Sequence, residues 1–408
     1  MAKKIDLPEP IIPNDSWKIV KLGDYVKILN GYPFDSGRFT NSSENTFPLI
    51  RIRDVVRGYT ETFTDEDCPD EYKIKKDEIL IGMDGDFNIS RWKSDFGLLN
   101  QRVCKIKSAS KDLDENFLYY YLPIPLKQIN DATPSVTVKH LSSNSLQQLH
   151  FPLPTLAEQQ RIVKRIETMF SKLDQAQEKA QSVLDSFETR KAAILHKAFT
   201  GQLKIDNEEL SIADWEEKSF SDLGTSNLGK MLDQNKNTGD EIRYLRNINV
   251  RWFDFDLSDL LTMRAKPEEI KKLSVKKGDL FICEGGEPGR CAVWKDENAD
   301  LIFQKAIHRF RPNDGVSSDF VAYVLYYYNQ IGKLSDYFTG TTIKHLTGQS
   351  LAKLPIKLPP LNYQLSIVNF LDIVLEKETR AKEAAQTVLD QIALLKKSIL
   401  ARAFRGEL

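Results

Sequence analysis

Two short phrases occur twice in this chain at one separation. TVKHL (137–141) returns as TIKHL (342–346), and AFTGQL (198–203) as AFRGEL (403–408), each displaced by 205 positions. From Val138 to Leu203 the displacement holds without a gap, and about 27 of 66 positions are identical. Such a repeat restricts the fold more than composition can, because the chain must build one unit twice. Upstream the copies agree more loosely: Trp17 answers Trp215, and KIKKDEILIGMDG (73–85) answers SVKKGDLFICEGG (274–286). The later part of each unit is closely copied and the earlier part has drifted. That asymmetry suggests a shared scaffold carrying two different recognition surfaces.

The copied parts read as long helices. After HFPLPTLAEQQ, apolar residues fall at Ile162, Ile166, Met169, Leu173, Ala176, Ala180, Val183, Phe187 and Ile194, a 4-3 alternation broken at Arg190. The second copy places Ile367, Leu371, Val374, Ala381, Ala385, Val388, Ile392, Leu395 and Ile399 on the same heptad, interrupted by Glu378. Neither run contains proline or glycine before Gly201 and Gly406, which act as helix stops. Each helix is expected to run for roughly 40 residues and about 60 Å. An amphipathic helix of that length cannot bury its seam alone. The spacing predicts a coiled coil between the two copies, antiparallel so that the globular parts lie at opposite ends. Alanines 176, 180, 381 and 385 would let the backbones approach closely. The competing arrangement packs each helix on its own globular domain.

The drifted parts predict a mixed α/β fold. FPLIRIRDV (47–55), DEILIGMDG (77–85) and LLNQRVCKIK (98–107) read as strands, DENFLYYYL (114–122) as a helix, and SSNSLQQL (142–149) as a helix capped by Ser142. EIRYLRNINV, GDLFICEGG, LIFQKAIHRFRP and SSDFVAYVLYYYN repeat that order in the second half. The expected division is a first recognition domain at 1–151, a central arm at 152–203, a second domain at 204–355 and a C-terminal arm at 356–408. With 57 basic and 58 acidic side chains the net charge is −1, so any nucleic-acid contact must come from basic residues gathered on one face. Cys68, Cys104, Cys283 and Cys291 show no paired spacing, and no leader or membrane-length apolar run is apparent, so a reducing cytoplasmic setting is expected.

A search for chemistry finds no constellation. His140, His150, His196, His308 and His345 are scattered, with no metal spacing among them. There is no methyltransferase-type (N/D)PP(Y/F), and PDEYK (69–73) lacks the separation a nuclease core needs. GTSNLGKM (224–231) satisfies GxxxxGK but continues with Met231 instead of a magnesium-holding hydroxyl. The expectation is a protein with no catalytic residues and no metal of its own.

NGYPF (30–34), FPLIRIRDV, ILIGMDGDFN (79–88), LLNQRV (98–103), HFPLPTLAEQQRIV (150–163), FICEGGEPGR (281–290), FQKAIHRFRP (303–312) and LPPLNYQLSIV (358–368) occur in order over nearly the whole length. Together they make the chain resemble a specificity subunit of a Type I restriction-modification system. The resemblance implies two target-recognition domains, each reading half of a split double-stranded DNA sequence. It also implies antiparallel arms that set the separation of the half-sites and dock two methyltransferase subunits, to which nuclease and translocase subunits attach. S-adenosylmethionine, ATP and magnesium would then belong to the partner subunits.

Reading base edges calls for Arg, Asn and Gln, whereas Ser, Thr, Lys and close-approaching glycines suit the phosphates. The candidates in the first domain are Arg51, Arg53, Gly85, Asn88, Arg91, Asn100, Gln101 and Arg102, with Thr133, Ser135, Thr137 and Lys139 ahead of the arm. In the second they are Arg243, Arg246, Asn249, Glu284, Gly285, Gly286, Arg290, Gln304 and Lys305, with Thr341, Thr342, Lys344 and His345. Arg51 and Arg53 are expected on one strand face. Trp92 and Trp294 could stack in an interface or fill a core. TVKHL and TIKHL are too alike to specify different bases and suit positioning or packing. The rival reading is a non-catalytic adaptor holding two protein-binding domains.

Overall fold

The computed structural model describes residues 7–8, 17–133, 139–205, 208–209, 212, 215–233, 237–297 and 299–408. The chain divides into two compact units, Met1–Ala180 with Thr387–Leu408, and Gln181–Gln386. The division therefore cuts through both long helices.

The first unit opens with β1 (Lys18–Lys21) and β2 (Val26–Asn30), followed by β3 (Phe47–Ile50), β4 (Lys73–Lys75), β5 (Ile79–Gly82), β6 (Ile89–Arg91), β7 (Phe96–Leu99) and β8 (Val103–Ser108). Helices α1 (Glu115–Tyr121), α2 (Pro123–Ala132) and α3 (Ser143–Gln148) precede β9 (His150–Leu153) and the central arm helix α4 (Leu156–Phe199). One sheet has the order β2-β8-β5-β6, and β1 pairs antiparallel with β9. In a second sheet β7 runs parallel to β3 and antiparallel to β4. The helix at 114–122 and the Ser142 cap are found as the sequence predicts; the Ser142 hydroxyl accepts the Ser145 N–H.

Two strand expectations change. LLNQRVCKIK is two strands, β7 and β8, separated by a turn at Asn100–Arg102. FPLIRIRDV leaves the sheet after Ile50, and Asp54–Arg57 form a helical turn. Arg51 and Arg53 therefore do not share a strand face. Buried Asp54 ends the strand by accepting the Arg51 N–H at 2.9 Å, a local bond that competes with the ladder.

The second unit repeats the plan with β10 (Glu216–Ser219), β11 (Gly224–Leu228), β12 (Asp240–Leu245), β13 (Leu261–Ala265), α5 (Pro267–Leu273), β14 (Leu280–Cys283), β15 (Cys291–Val293), β16 (Leu301–Phe303) and β17 (Ile307–Pro312). Then come α6 (Ser318–Gln330), α7 (Gly348–Ala352), β18 (Pro355–Leu358) and the C-terminal arm helix α8 (Leu361–Ala403). The order β11-β17-β14-β15 is the counterpart of β2-β8-β5-β6, and β10 pairs with β18 as β1 does with β9. The mixed α/β class holds in both halves.

Within each unit the two arm helices run antiparallel. In the first, Asp174 pairs with Lys396 at 2.5 Å and Arg161 donates to the Leu408 carbonyl at 2.8 Å. In the second, Glu188 faces Lys382 at 3.8 Å and Arg190 pairs with Glu378 at 2.8 Å. The two residues that interrupt the predicted seams are thus each other's partner.

On α4 every predicted seam residue is buried or half-buried. On α8 Ile367, Leu371, Ala385 and Ile392 are buried, while Val374 and Ile399 are half-buried. Ala381, Val388 and Leu395 face outward instead, Leu395 at 48% exposure. The half-buried positions there fall one residue later, at Leu375, Leu389 and Lys396. Lys382 lies over the Phe187 ring at 4.4 Å, and Lys396 over Phe170 at 5.7 Å. An ammonium over an aromatic face is attracted by the ring quadrupole, a contact that a count of apolar residues does not register.

The ends of the arm helices are core elements of the globular domains. Ile162, Val163 and Ile166 join Ala403 and Phe404 in the core of the first unit, where Phe404 meets Phe117 and Tyr121 with ring centroids 5.2 Å away. In the second, Leu195, Ala198 and Phe199 join Ile367 and Leu371, and Phe199 stacks on Tyr327 at 5.2 Å. Helix-on-helix and helix-on-domain packing are therefore both present, along different stretches. The AFTGQL and AFRGEL phrases recur because each supplies the phenylalanine that completes such a core. No helix among the described residues is long and apolar enough to cross a membrane.

Candidate nucleic-acid interface

The turn Asn100–Arg102 exists because another loop crosses it at close range. Tyr32 N–H donates to the Leu99 carbonyl, Gln101 N–H to Tyr32, Val103 N–H to Asn100 and Met83 N–H to Arg102. A Cβ on Gly31 would lie 2.0 Å from the Asn100 oxygen, so the crossing requires glycine. The second unit repeats each bond. Lys230 N–H donates to Phe303, Lys305 N–H to Lys230, Ile307 N–H to Gln304 and Glu284 N–H to Ala306. A Cβ on Gly229 would lie 2.0 Å from the Phe303 oxygen. Asn100-Gln101-Arg102 thus corresponds to Gln304-Lys305-Ala306 in one backbone frame.

That correspondence explains GTSNLGKM. Gly229 is the crossing glycine, and a Cβ on Gly224 would meet the Arg311 oxygen at 2.2 Å. Lys230 pairs with Glu269 at 2.5 Å. Both glycines serve packing, and the lysine has an acidic partner in the fold.

In the first unit a concavity of about 380 Å³ gathers Arg51, Arg53, Asn100, Gln101 and Arg102, floored by Phe34, Ser36, Phe39 and Ile52. Arg53 is steadied by the Thr62 hydroxyl at 3.0 Å, and the Asn100 side-chain oxygen accepts the Gln101 N–H at 2.8 Å. The Arg51 guanidinium and Gln101 amide have no side-chain partner among the described residues. Arg102 is more than half exposed and reaches toward Asp84 at 3.4 Å. Asp84 also takes the His140 Nδ1 at 2.6 Å. Guanidinium and amide groups held on a turn at the rim of a recess can donate to and accept from base edges.

Other candidates lie elsewhere. Arg91 is bonded to the Asp77 carbonyl and to Asn116 of α1, and lies over the Tyr119 ring. Lys139 and Thr133 satisfy carbonyls at the end of α2, at Asn130 and Ile129. Gly85 and Asn88 are exposed on the loop after β5, where Gly85 N–H donates to the Lys139 carbonyl and Asn130 donates to Gly85. Lys139–Leu141 accordingly clasp this loop, with Leu141 N–H donating to the Met83 carbonyl. Ser135 and Thr137 lie outside the described residues.

In the second unit Asn249 is 1% exposed, with its amide spent on the Asp256 and Asp259 carbonyls and the Arg246 N–H. Arg246 pairs with Asp259, and Arg290 with Glu287 and the Asn247 carbonyl. The polar groups of these three residues, expected from the sequence to face DNA, have partners within the fold. Asn247, passed over in the sequence, ties the loop together by donating to the Gly285 carbonyl at 3.0 Å. Gly285 is buried beneath His345, and a Cβ there would sit 3.0 Å from the His345 ring. Glu284 accepts the Leu346 N–H through its carbonyl, and Gly286 turns the exposed tip at φ +76°. Arg243, Gln304, Lys305, Thr341, Thr342 and Lys344 keep side chains without polar partners among the described residues. Trp92 and Trp294 are buried core residues. Among the described residues no group of His, Cys, Asp and Glu could hold a metal ion.

A family model described as the Type I restriction modification DNA specificity domain matches residues 14–184 and 212–389. The chain is 29% identical over 416 residues to the specificity subunit of the Type I restriction enzyme EcoBI of Escherichia coli, covering 97% of this chain and 87% of that protein. It is 22% identical over 419 residues to the MjaVIII specificity subunit of Methanocaldococcus jannaschii, covering 97% and 94%. Two solved structures share the fold. The HsdS subunit from Thermoanaerobacter tengcongensis superposes with a TM-score of 0.62 at 18% identity, covering 97% of this chain and 98% of that one. A chain solved in work on complex assembly and conformational transition of the type I R-M system gives 0.65 at 18% identity, covering 99% and 100%.

Proposed function

The chain belongs to the family of Type I restriction-modification specificity subunits, and from that premise we propose that it is the non-catalytic subunit reading a bipartite, asymmetric DNA target. The first domain reads one half-site through the recess around Arg51, Gln101 and Arg102. The second reads the other through Gln304, Lys305 and Arg243, with Thr341, Thr342 and Lys344 available to phosphates. The arms set the spacer and dock two methyltransferase subunits, through which nuclease and translocase subunits join. S-adenosylmethionine, ATP and magnesium are held by those partners, and the complex works in the cytoplasm, where its DNA lies.

One observation carries the reading. The turns at 100–102 and 304–306 share four backbone hydrogen bonds and a crossing glycine, yet present Asn-Gln-Arg in one unit and Gln-Lys-Ala in the other. A frame held constant while its side chains change suits two readers of different words. It does not suit two copies of one binding site. Phosphate contacts alone would carry no sequence information and need no such divergence.

The test is co-expression with a cognate methyltransferase subunit followed by mapping of methylated adenines. The reading predicts one motif in two parts with a fixed gap. A heptad inserted into each arm adds roughly 10 Å to the helices and should lengthen the gap by about three base pairs, leaving both half-sites unchanged. A contiguous motif contradicts it. Failure to recruit any methyltransferase favours the adaptor.

A further inference from the structure

Two fully buried glutamines occupy the first turn of the arm helices, one per unit and 205 positions apart, and the recognition reading leaves them without a role. Gln159 accepts the Asp114 N–H at 2.8 Å and donates to the Asp112 and Pro154 carbonyls at 2.8 and 2.9 Å. Gln364 accepts the Ser317 N–H at 2.8 Å and donates to the Gly315 and Pro359 carbonyls at 3.0 and 2.8 Å. Both side chains are 0% exposed. Asp114 and Ser317 are the N-caps of α1 and α6, so each amide joins the start of an arm helix to the start of a helix in its own domain.

All six partners are main-chain groups. The attachment therefore survives when the domain's side chains drift, and it constrains direction as well as distance. Three bonds from one planar amide fix the angle between arm and domain, whereas the surrounding apolar contacts resist separation but tolerate small rotations. Only an amide of this length combines the acceptor and the two donors the site uses. Aspartate or glutamate would set a carboxylate against two carbonyl oxygens, and leucine would leave an N–H and two carbonyls buried without partners.

We propose that Gln159 and Gln364 are positioning residues that set the angle of each recognition domain on its arm, and through it the single spacer length the subunit accepts. The proposal rests on the bipartite reading above. It assigns these residues no contact with DNA.

The experiment uses the complex co-expressed with its methyltransferase subunit, carrying Gln159→Leu, Gln159→Glu, Gln364→Leu or Gln364→Glu, with Ile106→Val as a core control in the first unit. Methylated adenines are mapped and thermal stability is measured on the same preparations. Both half-sites should stay unchanged while sites with a spacer one base pair longer or shorter become methylated. Discrimination against those sites should fall roughly tenfold, the ratio that one buried hydrogen bond is worth. Ile106→Val should lower stability and keep the spacer unique. Glutamine variants that are less stable but accept only the native spacer overturn the proposal, as does failure of all four to form a complex, which would make the amides folding determinants. If the unsubstituted complex shows no bipartite motif, the recognition reading fails first, and the two failures are distinguishable.

Discussion

Removing the Phe404 ring tests whether the arm helix is part of the first domain's core. The side chain is 3% exposed and meets Phe117 and Tyr121 edge-on, with both ring centroids at 5.2 Å. Truncating a buried phenylalanine costs about 3–5 kcal/mol, and two aromatic edge contacts place this site toward the upper end. In a unit of about 200 residues each kcal/mol moves the melting temperature by about 2–4 °C, so Phe404→Ala should lower it by roughly 6–20 °C. Calorimetry reads the shift, and hydrogen exchange should speed up in residues 17–133 before residues 237–297. Phe199→Ala should reverse that order, because its ring packs on Phe320 and Tyr327. A shift below about 2 °C for Phe404→Ala, the range of surface substitutions, would refute the claim that the helix end closes the core.

Further outcomes follow from the same contacts. Arg190→Leu or Glu378→Leu alone should destabilise the second unit by about 1–3 kcal/mol, and the double substitution should recover most of the loss, since a seam ion pair hurts most when one partner is removed; a double-mutant cycle measures this. Burial holds the His308 imidazole below its ordinary value of 6.5, and its Nε2–H donates to the Leu346 carbonyl at 2.9 Å. Its stabilisation is therefore complete above pH 6.5 and is lost as pH falls through the lowered pKa, because the unfolded chain takes up the proton first. His308→Gln should flatten that slope in urea titrations. Burial pushes the Cys104 thiol up to about 12 and Cys283 to about 11, and raises Cys291 and Cys68 as well. A disulfide reagent at pH 8 should leave all four unmodified until denaturant is added.

The duplication and the helical arms were legible because an ungapped repeat and a heptad survive without knowledge of tertiary contacts. The capped helices were legible for the same reason, since Asp114 and Ser142 act within a few residues of themselves. What the sequence hid was non-local. Arg190 and Glu378 each look like a defect until the partner 188 positions away is known. Lys382 and Lys396 set their ammonium groups over the Phe187 and Phe170 rings of the other arm helix, contacts that a polar/apolar pattern scores as surface. Arg91, Arg246 and Arg290 have the residue type that reads bases, but their guanidiniums bond to the Asp77 carbonyl, to Asp259, and to Glu287 and the Asn247 carbonyl. Arg51 and, far from it in the sequence, Asn100, Gln101 and Arg102 line one recess in the fold. They converge because strands end there and a glycine crossing folds the turn outward.

The claim that the turn at 100–102 spells half of the target is tested most directly by giving it the other unit's letters. In the complex with its methyltransferase subunit, Asn100→Gln, Gln101→Lys and Arg102→Ala are introduced together and methylated adenines are mapped. The account predicts an altered or relaxed first half-site, with each lost bidentate contact worth about 1–3 kcal/mol of discrimination. The second half-site and the spacer should be unchanged. A motif identical to that of the unsubstituted complex, or one altered equally in both halves, would contradict it.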